Sequence, residues 1–308
     1  TMGDGNVLID GALFVQNVSM APVLNPSALT NFTAGSVTLT NVSSNFVTLS
    51  LSSEAYVQVQ NDFIATRNPA TSGKAGFALS QATVHLAIGG TFAMSGYRSD
   101  SSINGQAAYL FGKSALFVSA KRIIFENGYS NVGGAIFAVN SNVSLNATEY
   151  ILFQRNSANV GGAVGALTNS NFTLNSPNVT VAYNSAEQGG SAILVVSSSF
   201  DPFSAASFIR NNATKGCIVS SQPSCTSQFT TTGEVRLNRM GASNANPTAC
   251  TDSEYLCNPE NTYGGGILLS VVASPDCSGA PLSGPALLSN NYTVCQIMPT
   301  QSTVPELN

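Results

Sequence analysis

The stretch from Asn156 to Ile193 reads NSANVGGAVGALTNSNFTLNSPNVTVAYNSAEQGGSAI. It says nearly the same thing twice: NSANVGGA opens at Asn156 and NSAEQGGSA at Asn184. Aligning on the Asn ahead of each glycine extends the series to Asn127, Asn156, Asn184, Asn211 and Asn238, at spacings of 29, 28, 27 and 27. The glycines keep step at Gly133, Gly161, Gly189 and Gly216. A fixed period of this length marks a repeat architecture.

Each unit holds three short segments. GGAIFAV (133–139), NVSLN (142–146) and YILFQRN (150–156) are succeeded by GGAVGAL, NFTLN and NVTVAYN. They are small-then-apolar or alternating, bounded by Asn, Ser, Gly or Pro, and carry no 3.6-residue period. Three strands per 28 residues, repeated, predict an all-β, right-handed parallel β-helix in which each strand pairs with its equivalent about 4.8 Å away. The pattern continues weakly upstream through FIATRN, GFAL, TFAM and GQAAYLF, for about nine coils in all. Three regions are expected: irregular N-terminal β coils over 1–60, repeats over 61–296 with an insertion at about 241–262, and a tail over 297–308.

In a solenoid, equivalent residues stack on themselves. The recurring Asn is expected at a corner, left-handed in backbone, with its amide bonded to the same Asn one coil on. Ile124, Phe153, Val181, Phe208 and Val235, three residues before each Asn, are expected to form an inward apolar column. Arg67, Arg155 and Arg210, next to an Asn, are expected to project outward.

Composition narrows the function. Of 308 residues only 8% are charged, against about 25% in ordinary soluble domains. Net charge is −4 and the cations are scattered, which argues against nucleic acid as a partner. No apolar run is long enough for a membrane-spanning helix. The first residue is Thr1, which reads as a processed product. Six cysteines fall in the last third, none in a CxxC pair. They favour three local disulfides, Cys217–Cys225, Cys250–Cys257 and Cys277–Cys295, hence an oxidising compartment; buried thiols are the alternative. N-x-S/T sequons stand at Asn17, Asn31, Asn41, Asn142, Asn146, Asn171, Asn178, Asn212 and Asn291.

The repeat resembles that of the polymorphic outer-membrane protein family, built on GGA[I/L/V] and FxxN tetrapeptides. The first occurs here at Gly133–Ile136 and Gly161–Val164, the second at Phe153–Asn156 and Phe208–Asn211. Degenerate copies stand at Ile124–Asn127 and Val181–Asn184. The resemblance implies a surface-exposed or secreted right-handed β-helix, often an adhesin. The sequence departs from the family in showing no C-terminal translocator barrel.

β-Helices also include polysaccharide lyases and glycoside hydrolases, whose sites need clustered carboxylates. The 15 acidic residues here are dispersed. Asp252, Glu254 and Glu260 come nearest to a cluster and read as a cation loop or as a solvated loop. His85, the single histidine, is expected on the solvent face, since Val84, Leu86 and Ile88 alternate with it. No catalytic residue, metal or cofactor is expected. The first expectation is a non-enzymatic extracellular structural or adhesive β-helix, a repeating subunit of a cell-surface filament or layer that self-associates and carries or contacts glycans. The alternatives are a carbohydrate-active β-helix enzyme and a monomeric adhesin passenger.

Overall fold

The computed structural model describes residues 5–17, 29–42, 47–50, 53–67, 75–98, 105–167, 169–187 and 192–196. It also describes the short segments 199–202, 206–209, 211–213, 219–222, 235–236, 238–239 and 262–263. Among these residues every regular element is a β-strand, and the strands stack coil on coil as a parallel β-solenoid.

Three parallel sheets run along it. Sheet 1 stacks Val47–Ser50, Phe77–Ser80, Ala108–Phe111, Ile136–Val139, Val164–Leu167, Ile193–Val196 and Val219–Gln222. Sheet 2 has 13 strands. Its nine rungs include the long strands Gly5–Gln16, Leu29–Thr40, Ala115–Glu126 and Asn142–Gln154. Other rungs are split in two, as in Glu54–Val59 with Phe63–Thr66 and Thr83–Ile88 with Thr91–Ser95. Sheet 3 stacks Tyr129–Val132, Ser157–Val160, Ser185–Ala186, Asn212–Ala213 and Asn238–Arg239. Five consecutive coils, from Ala108 to Arg239, carry strands of all three sheets. Thr262–Tyr263 returns antiparallel against Asn238–Arg239.

Alternation decides which side chains fill the interior. Glu54–Val59 buries Ala55, Val57 and Val59 and turns Glu54, Tyr56 and Gln58 outward. A phenylalanine spine fills the core: Phe63 stacks on Phe92 at 5.2 Å, Phe92 meets Phe125 edge-on at 5.7 Å, and Phe125 stacks on Phe153 at 5.1 Å. Each fully buried Phe contributes roughly 1.5–3 kcal/mol of transfer free energy. The inward column is therefore Phe125, Phe153 and Val181, and the backbone of Phe208 and Val235 continues it in register. Ile124, expected in it, is half-buried and one residue out of step.

The same single-residue offset corrects the Asn series. Asn127 takes the left-handed backbone at φ 56°, but the residues in register with it are Arg155 at φ 53° and Tyr183 at φ 57°. The ladder is the next residue along: Gly128, Asn156, Asn184 and Asn211. The Gly128 N–H donates to Asn156 Oδ1 at 2.9 Å, the Asn156 N–H to Asn184 Oδ1 at 2.9 Å, and the Asn184 N–H to Asn211 Oδ1 at 3.0 Å. The amide nitrogens bond rung to rung as well, Asn156 to Asn184 and Asn184 to Asn211, both at 3.0 Å. They also close on Phe125 O, Phe153 O and Val181 O. Two jobs that sequence reading gave to one Asn are thus split between neighbours. A left-handed residue turns the chain, and a buried amide then satisfies the backbone groups the turn exposes. Asn238 is on the next rung, in Asn238–Arg239.

The corner from sheet 1 to sheet 2 repeats the device with serine. Gln81, Lys113, Asn140 and Asn169 are left-handed, and buried Ala82, Ser114, Ser141 and Ser170 succeed them. The Ala82, Ser114 and Ser141 N–H groups donate to Ser114, Ser141 and Ser170 Oγ at 3.3, 3.3 and 3.4 Å. The third corner needs glycine. Gly105, Gly133 and Gly161 have φ of 60–66°, and a Cβ on Gly134 would stand 2.2 Å from Gly162 O.

Candidate functional site

Sheet 2 presents its outer face in columns. By register Tyr56, His85, Phe117, Ser144 and Thr173 share one column, and Gln58, Ala87, Ser119, Asn146 and Asn175 share the next but one along the strands. The first three rings stack face to face. Tyr56 and His85 are 4.6 Å apart with planes 6° off parallel; His85 and Phe117 are 4.8 Å apart at 12°. That spacing is the rung spacing, so the backbone itself sets the stacking distance. Small Ala87 and Ser119 leave a trough beside the rings, an open groove of about 420 Å³ floored by the backbone of Val57, Leu86 and Val118.

Glu54 anchors the near end. The Tyr56 hydroxyl donates to Glu54 Oε1 at 2.7 Å, and His85 Nε2 lies 3.3 Å from the same oxygen. That hydrogen bond, helped by partial burial and by the carboxylate's charge, raises the Tyr56 phenol above its ordinary value. His85 thus sits where the alternation predicts, on the outer face, opposite buried Val84, Leu86 and Ile88. It is held as a ring stacked between Tyr56 and Phe117.

Several other charged groups have lateral partners too. Arg122 Nε is 3.0 Å from Glu149 Oε2, Gln154 Nε2 donates to Glu126 Oε2 at 2.7 Å, and Asp62 Oδ1 accepts the Thr91 N–H at 2.6 Å. Among the described residues no three of His, Cys, Asp and Glu group together.

Arg67 departs from expectation. Arg155 is exposed, but Arg67 is buried, donating from Nε to Val42 O at 2.9 Å with its guanidinium 4.3 Å from the Tyr97 ring centre. The cause is register: Tyr97 occupies the ladder position that Asn156 holds two coils later, and its large ring gives Arg67 an inner wall to lie on. Burial lowers the Arg67 guanidinium below its usual value and pushes the Tyr97 phenol up to about 12, against the opposing pull of the Arg67 cation. Beyond them Gln106 is fully buried with neither side-chain polar atom hydrogen-bonded.

The sequons divide cleanly. Asn17, Asn31, Asn41, Asn142, Asn146, Asn171 and Asn178 are all exposed. The buried and half-buried asparagines, Asn127, Asn131, Asn140, Asn156, Asn159, Asn184 and Asn211, all lie outside sequons. Asn142 and Asn171 share one column, as the repeat predicts. Only the backbone of Asn212 and Asn238 is described. Asn291, Arg210, Gly189, Gly216, the acidic cluster Asp252, Glu254 and Glu260, and all six cysteines, Cys217, Cys225, Cys250, Cys257, Cys277 and Cys295, lie outside the described residues.

The aromatic column and the serine ladder were not anticipated. The ladder has a visible signal, the twin tripeptides Asn140-Ser141-Asn142 and Asn169-Ser170-Asn171. The rings stand at intervals of 29 and 32 residues, the second of them off the period that guides the eye.

Comparison with models of known protein families, with curated proteins and with solved structures finds no match to this chain.

Proposed function

We propose that this chain is a non-enzymatic extracellular β-helix with a structural or adhesive role, a subunit of a cell-surface filament or layer. The observation that carries the reading is the segregation of sequons. Every sequon asparagine whose burial is described is exposed, while the buried and half-buried asparagines, the Asn156–Asn184–Asn211 ladder among them, are not sequons. The outer polar groups support a structural use, because they bond along the rod: Asn31 to Asn6 at 2.8 Å, Asn159 to Asn131 at 2.8 Å and Asn175 to Asn146 at 3.2 Å. The GGA and FxxN resemblance to a family of secreted β-helices points the same way.

Electron microscopy of the native material, with its intact mass, tests the reading. Regular fibres or sheets and a mass above the 31.7 kDa of the polypeptide are expected. Monodisperse particles at the polypeptide mass would overturn it.

A further inference from the structure

The aromatic stack ends abruptly. Tyr56, His85 and Phe117 fill three successive rungs, and the fourth position is Ser144, with Thr173 beyond it. One face of the Phe117 ring packs on His85. The other faces a rung whose side chain is only a hydroxymethyl, so the column lacks one flat ring. The groove reaches this gap, since Ser144 and Asn146 close its far end.

We propose that the gap is the seat of an N-linked glycan on Asn146, its first N-acetylglucosamine ring lying over Ser144 against the open face of Phe117. The proposal rests on the reading of the chain as a secreted glycoprotein. Asn146 is the exposed first residue of Asn146-Ala147-Thr148, and Thr148 is exposed beside it. It lines the groove and is the diagonal neighbour of Phe117, whose own register partner is Ser144. Such diagonal pairs lie about 7–8 Å apart, within reach of an Asn side chain extended by one sugar. Asn146 Oδ1 accepts from Asn175 Nδ2 at 3.2 Å, which fixes the amide and leaves Nδ2, the atom a glycan joins, without a protein partner. Asn142 flanks Ser144 on the side away from the groove.

Tethering is what makes a single ring face sufficient. A free sugar would have to offset its lost translational and rotational freedom from one contact in an open trough. A sugar already joined to Asn146 meets Phe117 at an effective concentration on the order of millimolar or above. The transfer itself draws on a lipid-linked oligosaccharide diphosphate. The bond from sugar C1 to the diphosphate oxygen breaks, C1 bonds to Asn146 Nδ2, the amide proton is lost, and the lipid diphosphate leaves.

The test is secretion of the full chain from a eukaryotic host with isotope-labelled glycans, as wild type, Phe117→Ser and Thr148→Ala. Site occupancy is read by glycopeptide mass spectrometry and sugar proton shifts by NMR. The expected result is an occupied Asn146 whose first sugar is shifted upfield by the Phe117 ring, relative to the sugar on Asn178. The shift should vanish in Phe117→Ser with occupancy unchanged. Matching shifts at Asn146 and Asn178, or an empty Asn146 beside occupied sequons, would overturn the seat while leaving the glycoprotein reading intact. Empty sequons throughout would overturn both. Sub-millimolar binding of free chitobiose to the groove of Thr148→Ala would overturn the assignment to the protein's own glycan.

Discussion

Replacing Asn184 with Ala removes four hydrogen bonds from a fully buried site. Its Oδ1 accepts from the Asn156 N–H and from Asn156 Nδ2, and its Nδ2 donates to Phe153 O and Asn211 Oδ1. Two losses matter most. The Asn156 N–H loses its acceptor, and one N–H of the Asn156 amide loses its own, while the second keeps Phe125 O. Each orphaned buried donor costs about 1–3 kcal/mol, so the variant should lose about 4 kcal/mol, a large share of the ~5–15 kcal/mol that stabilises a typical domain. Asn127→Ala is the control. Asn127 is half-buried, makes a 3.3 Å bond to Ser95 Oγ, and contributes mainly its tolerance of a left-handed backbone, worth about 1–2 kcal/mol. Urea unfolding followed by circular dichroism gives both values, and hydrogen exchange at the Asn156 amide should accelerate only in Asn184→Ala. Equal losses in the two variants would refute the offset ladder and restore a single Asn column running through Asn127.

Three other outcomes follow from packing and charge. Gly134→Ala puts a Cβ 2.2 Å from Gly162 O and 2.6 Å from Ser157 O, both backbone, and should cost about 3 kcal/mol or more by urea unfolding, whereas Gly112→Ala meets only Gln81 Cγ at 3.4 Å and should cost about 1 kcal/mol. Gln106→Leu replaces a buried amide that has no partner and should raise the urea midpoint, by about 1 kcal/mol of stability; a fall would show that the amide is satisfied in solution. The Tyr97 phenol, raised in the fold to about 12 from an unfolded value near 10, makes the native state hold its proton longer than the unfolded chain does. Its contribution is therefore complete below about pH 10 and is lost as pH rises towards 12, by about 2–3 kcal/mol, so a pH titration of stability should fall in that window and flatten in Tyr97→Phe.

The parallel solenoid was legible because its signal is redundant. Glycine, Asn and apolar positions all recur at one period, and each constrains the others. What the sequence could not give was register at the level of one residue. Asn127 and Asn156 look equivalent, yet the pair Asn127-Gly128 lies opposite Arg155-Asn156, because Asn suits both the left-handed turn and the buried ladder. Identity alone could not separate the two uses. The interval of 29 rather than 28 residues was the trace of the difference. Arg67 was misplaced for a related reason. Its burial depends on Tyr97 standing in a ladder position one coil on, and no pattern within either segment reports that pairing. The aromatic column escaped because it depends on outer-face register across coils of unequal length.

Unequal coil length has a structural consequence of its own. Successive register partners on sheet 2, Leu29, Glu54, Thr83, Ala115, Asn142, Asn171 and Ser199, are separated by 25, 29, 32, 27, 29 and 28 residues. The sheet is nonetheless continuous. Single-residue differences are taken up within its rungs, where the register shifts between Ile9 and Ala12 and between Ala120 and Arg122, and the larger differences lie between the sheets. A residue on a sheet is thereby bound to the column it stacks in, whatever the length of the coil that carries it. Inner columns are held by close packing and the corner ladders by buried amides and hydroxyls. Only the outer columns are left to vary with function. The Tyr56–His85–Phe117 column and the trough beside it are where this chain spends that freedom most conspicuously, placing three rings at successive rungs and then a serine.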